Sequence, residues 1–319
     1  MSRQSFCTFF DSNYAAQGLS LYYSLKKYAD HNFSLYVLCL DDELFNRLKD
    51  MELANVTLIS LQQIESVYPE LLQAKSNRSL IEYYFTLSPV LPLYVLDKFK
   101  ESIIASLDAD ILFFSSPAPI FDELGDRSIY IVPHRFRSYQ ADLLISGQFN
   151  VQCQLFRNDD VGKKCLHEWM QQCLEWCFDR YEDGKFADQK YLDSWPEKFK
   201  NHLVISKNLG VGIAPWNIQD EKISSINNEF FINDNKVIFY HFHGFKPFNQ
   251  FVFKLGLSTY KASRSPNLLE MYRIYANELH RHGLWSKTKN IRSGGYSKFQ
   301  LLLSAIKHQD LMINFYSSQ

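Results

Sequence analysis

The segment 101–114, which reads ESIIASLDADILFF, constrains the fold of this chain more than any other part of the sequence. Two apolar runs of strand character meet at Asp108 and Asp110, so two carboxylates stand within an otherwise buried sheet. Burying a carboxylate without a partner is expensive, and we therefore expect a cation there. Two aspartates one residue apart at a strand end can both bind a hard divalent ion, although the triplet alone also fits an ordinary polar turn.

Short β-rich runs alternate with longer helical runs over the first 130 residues. Strand patterns occur at 5–9, 34–40 and 56–60, and apolar residues at helical spacing cover 15–28. This alternation is typical of parallel strands joined by crossover helices, so the sequence predicts an α/β fold.

Later elements are predicted by the same patterns. A helical region at 79–96 contains Pro89 and Pro92, which must kink it or divide it into two helices. The remaining predictions are a strand at 129–133, a turn at 147–150, a strand ending at 156, helices at 159–180 and 188–194, and a last clear strand at 237–240.

Composition excludes several classes of protein. The 319 residues include 46% hydrophobic ones, enough for a large core, and 34 Lys+Arg against 35 Asp+Glu leave no net field for binding nucleic acid. The N-terminal apolar run is short and interrupted by polar residues, and no stretch is long enough to span a bilayer, so we expect a cytoplasmic protein.

Six irregularly spaced cysteines predict reduced thiols, with Cys173 and Cys177 as packing residues rather than zinc ligands.

A second polar group follows the strand predicted at 237–240, in the sequence HFHGFKPF. The imidazole of His241 can complete a metal's ligand set, Gly244 lets backbone approach a phosphate, and Lys246 supplies a positive charge. A polar loop with a hydrogen-bonded histidine is the alternative interpretation.

A third group, Asp11, Asn13 and Tyr14, follows the first predicted strand, where α/β sheets usually bind ligands. Asp11 and Asn13 could bond a ribose or a base and Tyr14 could stack on the base, whereas the alternative is a plain helix cap. The glycine-rich signatures of P-loop NTPases, dinucleotide-binding folds and α/β-hydrolases do not occur in the sequence.

In their order, these groups resemble the GT-A nucleotide-diphospho-sugar transferases related to glycogenin and to the bacterial lipooligosaccharide galactosyltransferases. Residues 107–112 match the family's Leu-Asp-Ala-Asp-Ile-Leu motif letter for letter. The resemblance covers roughly residues 5–250. It implies a mixed, mainly parallel central sheet and a catalytic domain over 1–250, with a nucleotide-binding half at about 1–115 and a donor-sugar and acceptor half at about 116–250.

The resemblance also implies roles for the metal and nucleotide residues. Asp108, Asp110 and His241 would bind Mn²⁺ or Mg²⁺, with Asp108 also contacting the donor. The other implied contacts to the nucleotide and its diphosphate are those of Asp11, Asn13, Tyr14, Gly244 and Lys246, with Tyr14 near the uracil.

For the transferred sugar, the family's Phe-Asn-Ala-Gly-Val segment resembles FNVQ at 149–152, which implies Asn150 in the donor pocket and places Gln152 where the family has glycine. The catalytic Asp-Gln pair corresponds to Asp188 and Gln189.

Two departures concern charge and loop length. The family's donor-binding arginine is replaced by Phe85, and we expect Arg78 to supply that charge unless it is an ordinary salt-bridging residue. The loop HFHGFKPF has one residue fewer between Gly244 and Lys246 than the family pattern, so its geometry is expected to differ. His243 is a second choice of metal ligand after His241.

The resemblance implies a metal-dependent hexosyltransferase that moves a sugar from a nucleotide diphosphate, a UDP-sugar by expectation, to a glycan, lipid-linked or protein acceptor. Surface polysaccharide or lipopolysaccharide synthesis is the expected setting. A catalytically inactive binding module with the same fold remains an alternative. So does a sugar nucleotidyltransferase, which would need a glycine-rich basic loop where this chain has FFDSNY.

The segment 251–319 lies beyond the resemblance and is predicted as a helical, weakly basic C-terminal extension. Residues 279–309 contain no acidic side chain but several lysines and arginines among apolar residues. This pattern fits either peripheral contact with anionic lipid at the inner face of a membrane or a solvated helix face.

Overall fold

The computed structural model of the chain describes residues 3–283 and 298–314. These residues form two structural units. The first consists of the described residues up to 12 together with 29–109 and 116–207, and the second of 13–28, 110–115 and the described residues from 208 onward.

Both units contain β-strands. In chain order they are β1 (Ser5–Phe10), β2 (Ser34–Cys39), β3 (Val56–Ser60), β4 (Ile103–Leu107), β5 (Ile111–Phe113), β6 (Ile129–Pro133), β7 (Phe149–Arg157), β8 (Tyr181–Glu182), β9 (Lys185–Phe186), β10 (Leu203–Ile205), β11 (Ile223–Ile226), β12 (Glu229–Ile232), β13 (Asn235–Lys236), β14 (Phe239–His241), β15 (Lys246–Pro247), β16 (Val252–Lys254) and β17 (Leu311–Ile313).

The α-helices connect these strands and cover their faces. They are α1 (Ala15–Tyr28), α2 (Asp42–Asp50), α3 (Leu61–Val67), α4 (Leu71–Asn77), α5 (Leu80–Thr86), α6 (Val90–Phe99), α7 (Ala118–Leu124), α8 (Asp160–Glu175), α9 (Trp195–Phe199), α10 (Pro266–Arg281) and α11 (Lys298–Lys307). Short 3₁₀ helices occur at Ser12–Tyr14, Ser138–Ser146, Gln189–Ser194, Lys200–His202 and Ser258–Tyr260.

A seven-stranded sheet in the order β10-β6-β7-β4-β1-β2-β3 forms the centre of the first unit. Strands β4, β1, β2 and β3 run parallel, as do β10 and β6, whereas β7 is antiparallel to both of its neighbours. All residues of β4 are buried, because helices cover both faces of a parallel sheet. The predicted α/β fold with a mixed, mainly parallel sheet is confirmed.

Aromatic and aliphatic side chains from α6, α8 and α9 fill the space beside this sheet. Trp169 of α8 is fully buried, and its ring meets that of Trp195 edge to face at a centroid distance of 5.4 Å. Pro89 stands at the N-cap of α6 and Pro92 in its first turn, where a missing N–H breaks no helical bond. The predicted division of the 79–96 region into α5 and α6 is therefore confirmed.

The second unit contains a two-stranded pair, β5 with β14, and two three-stranded sheets, β11-β12-β13 and β15-β16-β17. Its core combines aliphatic and aromatic side chains, several of them from α10. The rings of Phe242 and Tyr275 stack with centroids 3.9 Å apart, and the ring of Phe245 stacks on Phe253 at 5.2 Å.

Three sequence predictions near the donor-sugar motifs were wrong in detail. Phe149 and Asn150 belong to β7 rather than to a turn, because they pair with Pro133 and Val132 of β6. Helix α8 ends at Glu175 rather than near 180, since Trp176 adopts an extended backbone. The segment 189–194 is 3₁₀ rather than α-helical.

The strand at 237–240 was also predicted to be the last one, and this was wrong. Strands β15, β16 and β17 follow β14 along the chain. The described residues beyond 250 therefore include two strands, β16 and β17, besides α10 and α11. Its expected basic character rests largely on Lys287, Lys289 and Arg292, which lie outside the described residues.

Two further features of the described residues concern the cysteines and the length of the helices. All six cysteines are free and buried, and both Cys173 and Cys177 pack in the core of the first unit, as predicted. Within 3–283 and 298–314, no helix has both the length and the apolar character needed to cross a bilayer.

Helix α8 gives a stability prediction. A Cβ added at Gly162 would lie 2.2 Å from the carbonyl oxygen of Arg157, so Gly162→Ala must displace backbone. We expect the free energy of unfolding to fall by about 1–3 kcal/mol in urea denaturation, the usual range for overpacking. An alanine in an unobstructed helix would instead stabilise by about 1 kcal/mol, so an increase would contradict this contact.

Candidate active site

Asp108 and Asp110 lie between two paired strands. Strand β4 ends at Leu107, and the Asp108 N–H donates to the carbonyl oxygen of Gln152 at 3.0 Å. Strand β5 then pairs antiparallel with β14, and the ladder continues as the Phe242 N–H donates to the Asp110 carbonyl oxygen at 3.0 Å. Backbone hydrogen bonds therefore fix the main chain at both aspartates.

His241 reaches the same place from β14. Its Nε2 lies 3.0 Å from Oδ1 of Asp110, and its own N–H donates to the carbonyl oxygen of Ile213 at 2.8 Å. The residue is 4% exposed, and the edge of the Trp216 ring packs against it with centroids 5.3 Å apart. Both backbone and side chain of this histidine are thus held in place.

Asp108, Asp110 and His241 each offer one ligand atom, and these atoms all lie within 4.8 Å of one another. An ion bound about 2.0–2.6 Å from each ligand separates the ligands by about 3–5 Å, so the spacing fits one divalent cation. The two carboxylates suit a hard ion such as Mn²⁺ or Mg²⁺, and the imidazole also suits transition metals. The residues present therefore fit the metal that the resemblance implies.

The charge balance of this group favours ionised carboxylate. Burial raises the pKa of Asp110, but the positive charge of His241 and its hydrogen bond outweigh that effect and hold the pKa below its ordinary value. The carboxylate is therefore in the form that binds a cation, and His241 must release its proton before it can serve as a metal ligand.

The loop after His241 contains the residues predicted for the diphosphate. Gly244 has φ = +75°, a conformation that glycine adopts without strain, and His243 is exposed. Lys246 is the first residue of β15 and stands directly opposite Lys254 of β16. Burial, and then the charge of Lys254, lower the pKa of Lys246.

Asp188 belongs to the first unit and is 2% exposed. Its Oδ2 accepts a 2.6 Å hydrogen bond from the Ser88 hydroxyl, and its carbonyl oxygen accepts one from the Trp169 indole at 2.8 Å. Burial raises the pKa of Asp188 to about 7, with the Ser88 hydrogen bond opposing the rise and the charge of Asp108 adding to it. This carboxyl can therefore both donate and accept a proton near neutral pH.

Gln189 and Asn150 form a connected pair beside Asp188. The Asn150 amide donates to Oε1 of Gln189 at 3.2 Å, and the Gln189 amide donates to the Ser146 carbonyl oxygen at 2.8 Å. The amide nitrogen of Asn150 also lies 2.9 Å from Nε2 of His134. These three side chains hold one another in orientation, which a sugar-binding pocket requires.

The first-strand residues lie where the sequence predicted. Asp11 follows β1 and is buried, and the Ser12 N–H donates to Oδ2 of Asp41 at 2.8 Å. Asn13 and Tyr14 belong to the short 3₁₀ helix, and Tyr14 is 40% exposed.

Arg78 is engaged with protein groups rather than with a carboxylate. Its guanidinium donates to the Leu174 carbonyl oxygen at 2.6 Å and to the Thr86 hydroxyl, and it lies over the Phe178 ring. Phe85, which replaces the family's arginine, packs against the core of the first unit.

Three residues of these clusters escaped sequence analysis, namely Ser88, His134 and Lys254. Ser88 and His134 reach their clusters through contacts with separate segments of the chain, whereas Lys254 reaches Lys246 through the β15–β16 hairpin, and none of the three belongs to a motif. The only available signal was the position of His134 directly after a predicted strand.

The architecture is that of the GT-A glycosyltransferases. The galactosyltransferase LgtC, solved in complex with donor and acceptor sugar analogs, superposes with a TM-score of 0.55 at 16% identity, over 91% of this chain and 98% of that chain. No model of a known protein family matches the sequence.

Sequence comparison places the chain more closely. YfnD of Bacillus subtilis (strain 168) is 34% identical over 252 residues, which are 77% of this chain and 79% of YfnD. YfnF of the same organism is 31% identical over 76% of this chain and 82% of YfnF. The chain belongs to the family of YfnD and YfnF. Its fold is a divergent example of the GT-A fold.

The raised pKa of Asp188 gives a pH prediction. Between its ordinary value of 3.8 and about 7, the folded carboxyl holds a proton that the unfolded one has lost. Stability from this group therefore falls as pH rises through that window. We expect Asp188→Asn to gain stability relative to wild type from pH 4.5 to 7.5, measured by urea unfolding in EDTA.

Ser88→Ala serves as the matched comparison. It removes the hydrogen bond that lowers the Asp188 pKa, so the decline of stability with pH should extend further upward. Parallel pH profiles for wild type and both variants would refute the assignment.

Proposed function

We propose that this chain is a metal-dependent glycosyltransferase that transfers a hexose from a nucleotide diphosphate, a UDP-sugar by expectation, to a glycan or lipid-linked acceptor in surface polysaccharide synthesis. The observation that carries the proposal is the group Asp108, Asp110 and His241, whose ligand atoms lie within 4.8 Å of one another on a GT-A fold.

The divalent ion, when bound, supplies positive charge to the departing diphosphate. Asp108, Asp110 and His241 would hold it. Gly244 and Lys246 bind the diphosphate oxygens through the backbone and the ammonium group, and Lys254 adds a second positive charge. These groups stabilise charge that grows as the bond to the sugar breaks, so they act mainly in the transition state.

On the sugar, Asp188, Gln189 and Asn150 are proposed to bind hydroxyl groups. The Asp188 carboxyl can accept or donate a hydrogen bond near neutral pH, while Gln189 is oriented by Asn150 and by the Ser146 carbonyl. The nucleotide would be bound by Asp11, Asn13 and Tyr14, of which Tyr14 stacks on the base. LgtC, whose fold this chain shares, was solved with donor and acceptor sugar analogs, which supports sugar ligands here.

One observation favours the alternative of an inactive sugar-nucleotide binding module. The family's arginine is absent, and Arg78 is committed to Leu174 and Thr86 within the first unit. Both functions predict donor binding, but only the transferase predicts hydrolysis or transfer of the bound sugar.

The deciding experiment screens UDP-, GDP-, dTDP- and CMP-sugars with Mn²⁺ or EDTA, by thermal shift and by donor hydrolysis. We expect one donor to raise the melting temperature and to be hydrolysed slowly only with metal, because a ligand of the folded state stabilises it. Binding without hydrolysis or transfer to any acceptor would favour the module.

The metal group is tested by Asp110→Asn. Losing one carboxylate should lower metal-dependent turnover by about 100-fold or more, which corresponds to ~3 kcal/mol of transition-state stabilisation. The fold should persist. Asp122→Asn, an exposed carboxylate on α7, is the matched control and should keep wild-type activity. Unchanged turnover in Asp110→Asn would remove it from the ligand set.

The lysine pair gives two effects of opposite sign. Like charges directly opposite on paired strands are destabilising, so Lys254→Gln should leave the free protein slightly more stable. The same change should weaken UDP binding several-fold and reduce its dependence on salt. Lys236→Gln, which removes an exposed ion pair with Glu229, is the control, and equal UDP affinity in both variants would count against Lys254.

A further inference from the structure

The loop proposed to bind the diphosphate is attached to the C-terminal segment of the chain. Strand β15, which begins at Lys246, pairs with β16, and β16 pairs on its other edge with β17. Strand β17 begins only at Leu311, well beyond every motif of the sequence. The register of Lys246 therefore depends on a sheet that the C-terminal segment completes.

Asp310, the residue before β17, is 2% exposed and fixes the turn after β16. Its Oδ2 accepts hydrogen bonds from the Gly256 N–H at 3.1 Å and the Ser258 hydroxyl at 2.9 Å. Its Oδ1 accepts from the N–H groups of Leu257 at 2.9 Å and Ser258 at 3.3 Å. A buried carboxylate bonded to three N–H groups and a hydroxyl holds this backbone rigidly.

Gly256 connects that turn to the diphosphate loop. Its φ is +80°, and a Cβ built on it would lie 2.8 Å from the His243 carbonyl oxygen and 3.0 Å from the carbonyl carbon of Gly244. A Cβ on Gly244 would in turn lie 3.5 Å from the Gly256 Cα. The two backbones thus pack directly against each other, with no side chain between them.

We propose that Asp310 is a positioning residue for the donor: by fixing Gly256 it holds residues 243–246 in the conformation that binds the diphosphate. The inference rests on the proposed function and assigns the C-terminal segment a part in donor binding. Asp310 does not contact the donor in this arrangement and acts through backbone alone.

The test measures UDP affinity by calorimetry in the full-length chain with Mn²⁺, and Mn²⁺ affinity alone by paramagnetic resonance. Asp310→Asn places an amide N–H against the Gly256 N–H, so we expect UDP to bind about tenfold more weakly while Mn²⁺ binds nearly as in wild type. Amide hydrogen exchange should rise in peptides covering 243–258.

Gly256→Ala is the second variant, because it leaves Asp310 intact and displaces the His243–Gly244 backbone directly. It should weaken UDP binding at least as much. The control is Asp159→Asn, which removes a carboxylate cap on Gly162 and Ser128 in the first unit and should leave UDP affinity unchanged.

The outcomes separate the two hypotheses. If wild type binds no nucleotide with any metal, the proposed function fails and the inference fails with it. If wild type binds UDP and both Asp310→Asn and Gly256→Ala bind it within twofold of wild type, only the inference is overturned. Equal weakening in Asp159→Asn would mean that lost stability, not positioning, caused the effect, and would also overturn it.

Discussion

The 3.0 Å contact between Asp110 and His241 is the interaction on which the candidate site depends. It lies at the end of the pair formed by β5 and β14, and side chains of both strands belong to the core of the second unit. His241 is the last residue of β14, and Asp110 stands directly before β5 with its carbonyl oxygen bonded to the Phe242 N–H, so the separation of the two side chains is set before any ligand binds. A metal centre built this way loses little conformational entropy on binding its ion.

In the first unit, the residue pairs between β4 and β7 change from apolar to polar toward the site. Ile104 pairs with Phe156, and Ser106, two residues further along β4, pairs with Gln154. The next step brings Asp108, whose N–H bonds the Gln152 carbonyl. This arrangement explains why glutamine is tolerated where the family has glycine, since Gln152 lies inside a strand and contributes its backbone oxygen.

Local sequence was sufficient to predict β1, β3 and α1, because each has a clear period and end signals of its own. It also located Asp108, Asp110 and His241, since strand patterns precede both motifs. It could not assign Phe149 and Asn150 to a strand, because pairing with Val132 and Pro133 overrides the turn preference of the preceding glycine. Nor could it find Ser88 or His134, whose roles come from contacts across the fold.

The shortened loop after His241 shows how long-range pairing replaces local spacing. A hydrogen bond from the Phe245 N–H to the Phe242 carbonyl closes the turn at 3.0 Å, and both rings are anchored in the core by stacking on Tyr275 and Phe253. The two phenylalanine side chains pack inward, whereas Gly244 between them has no side chain to cover its backbone. The position of Lys246 is set by its pairing with Lys254 of β16. Strand register, and not loop length alone, therefore determines where this lysine lies.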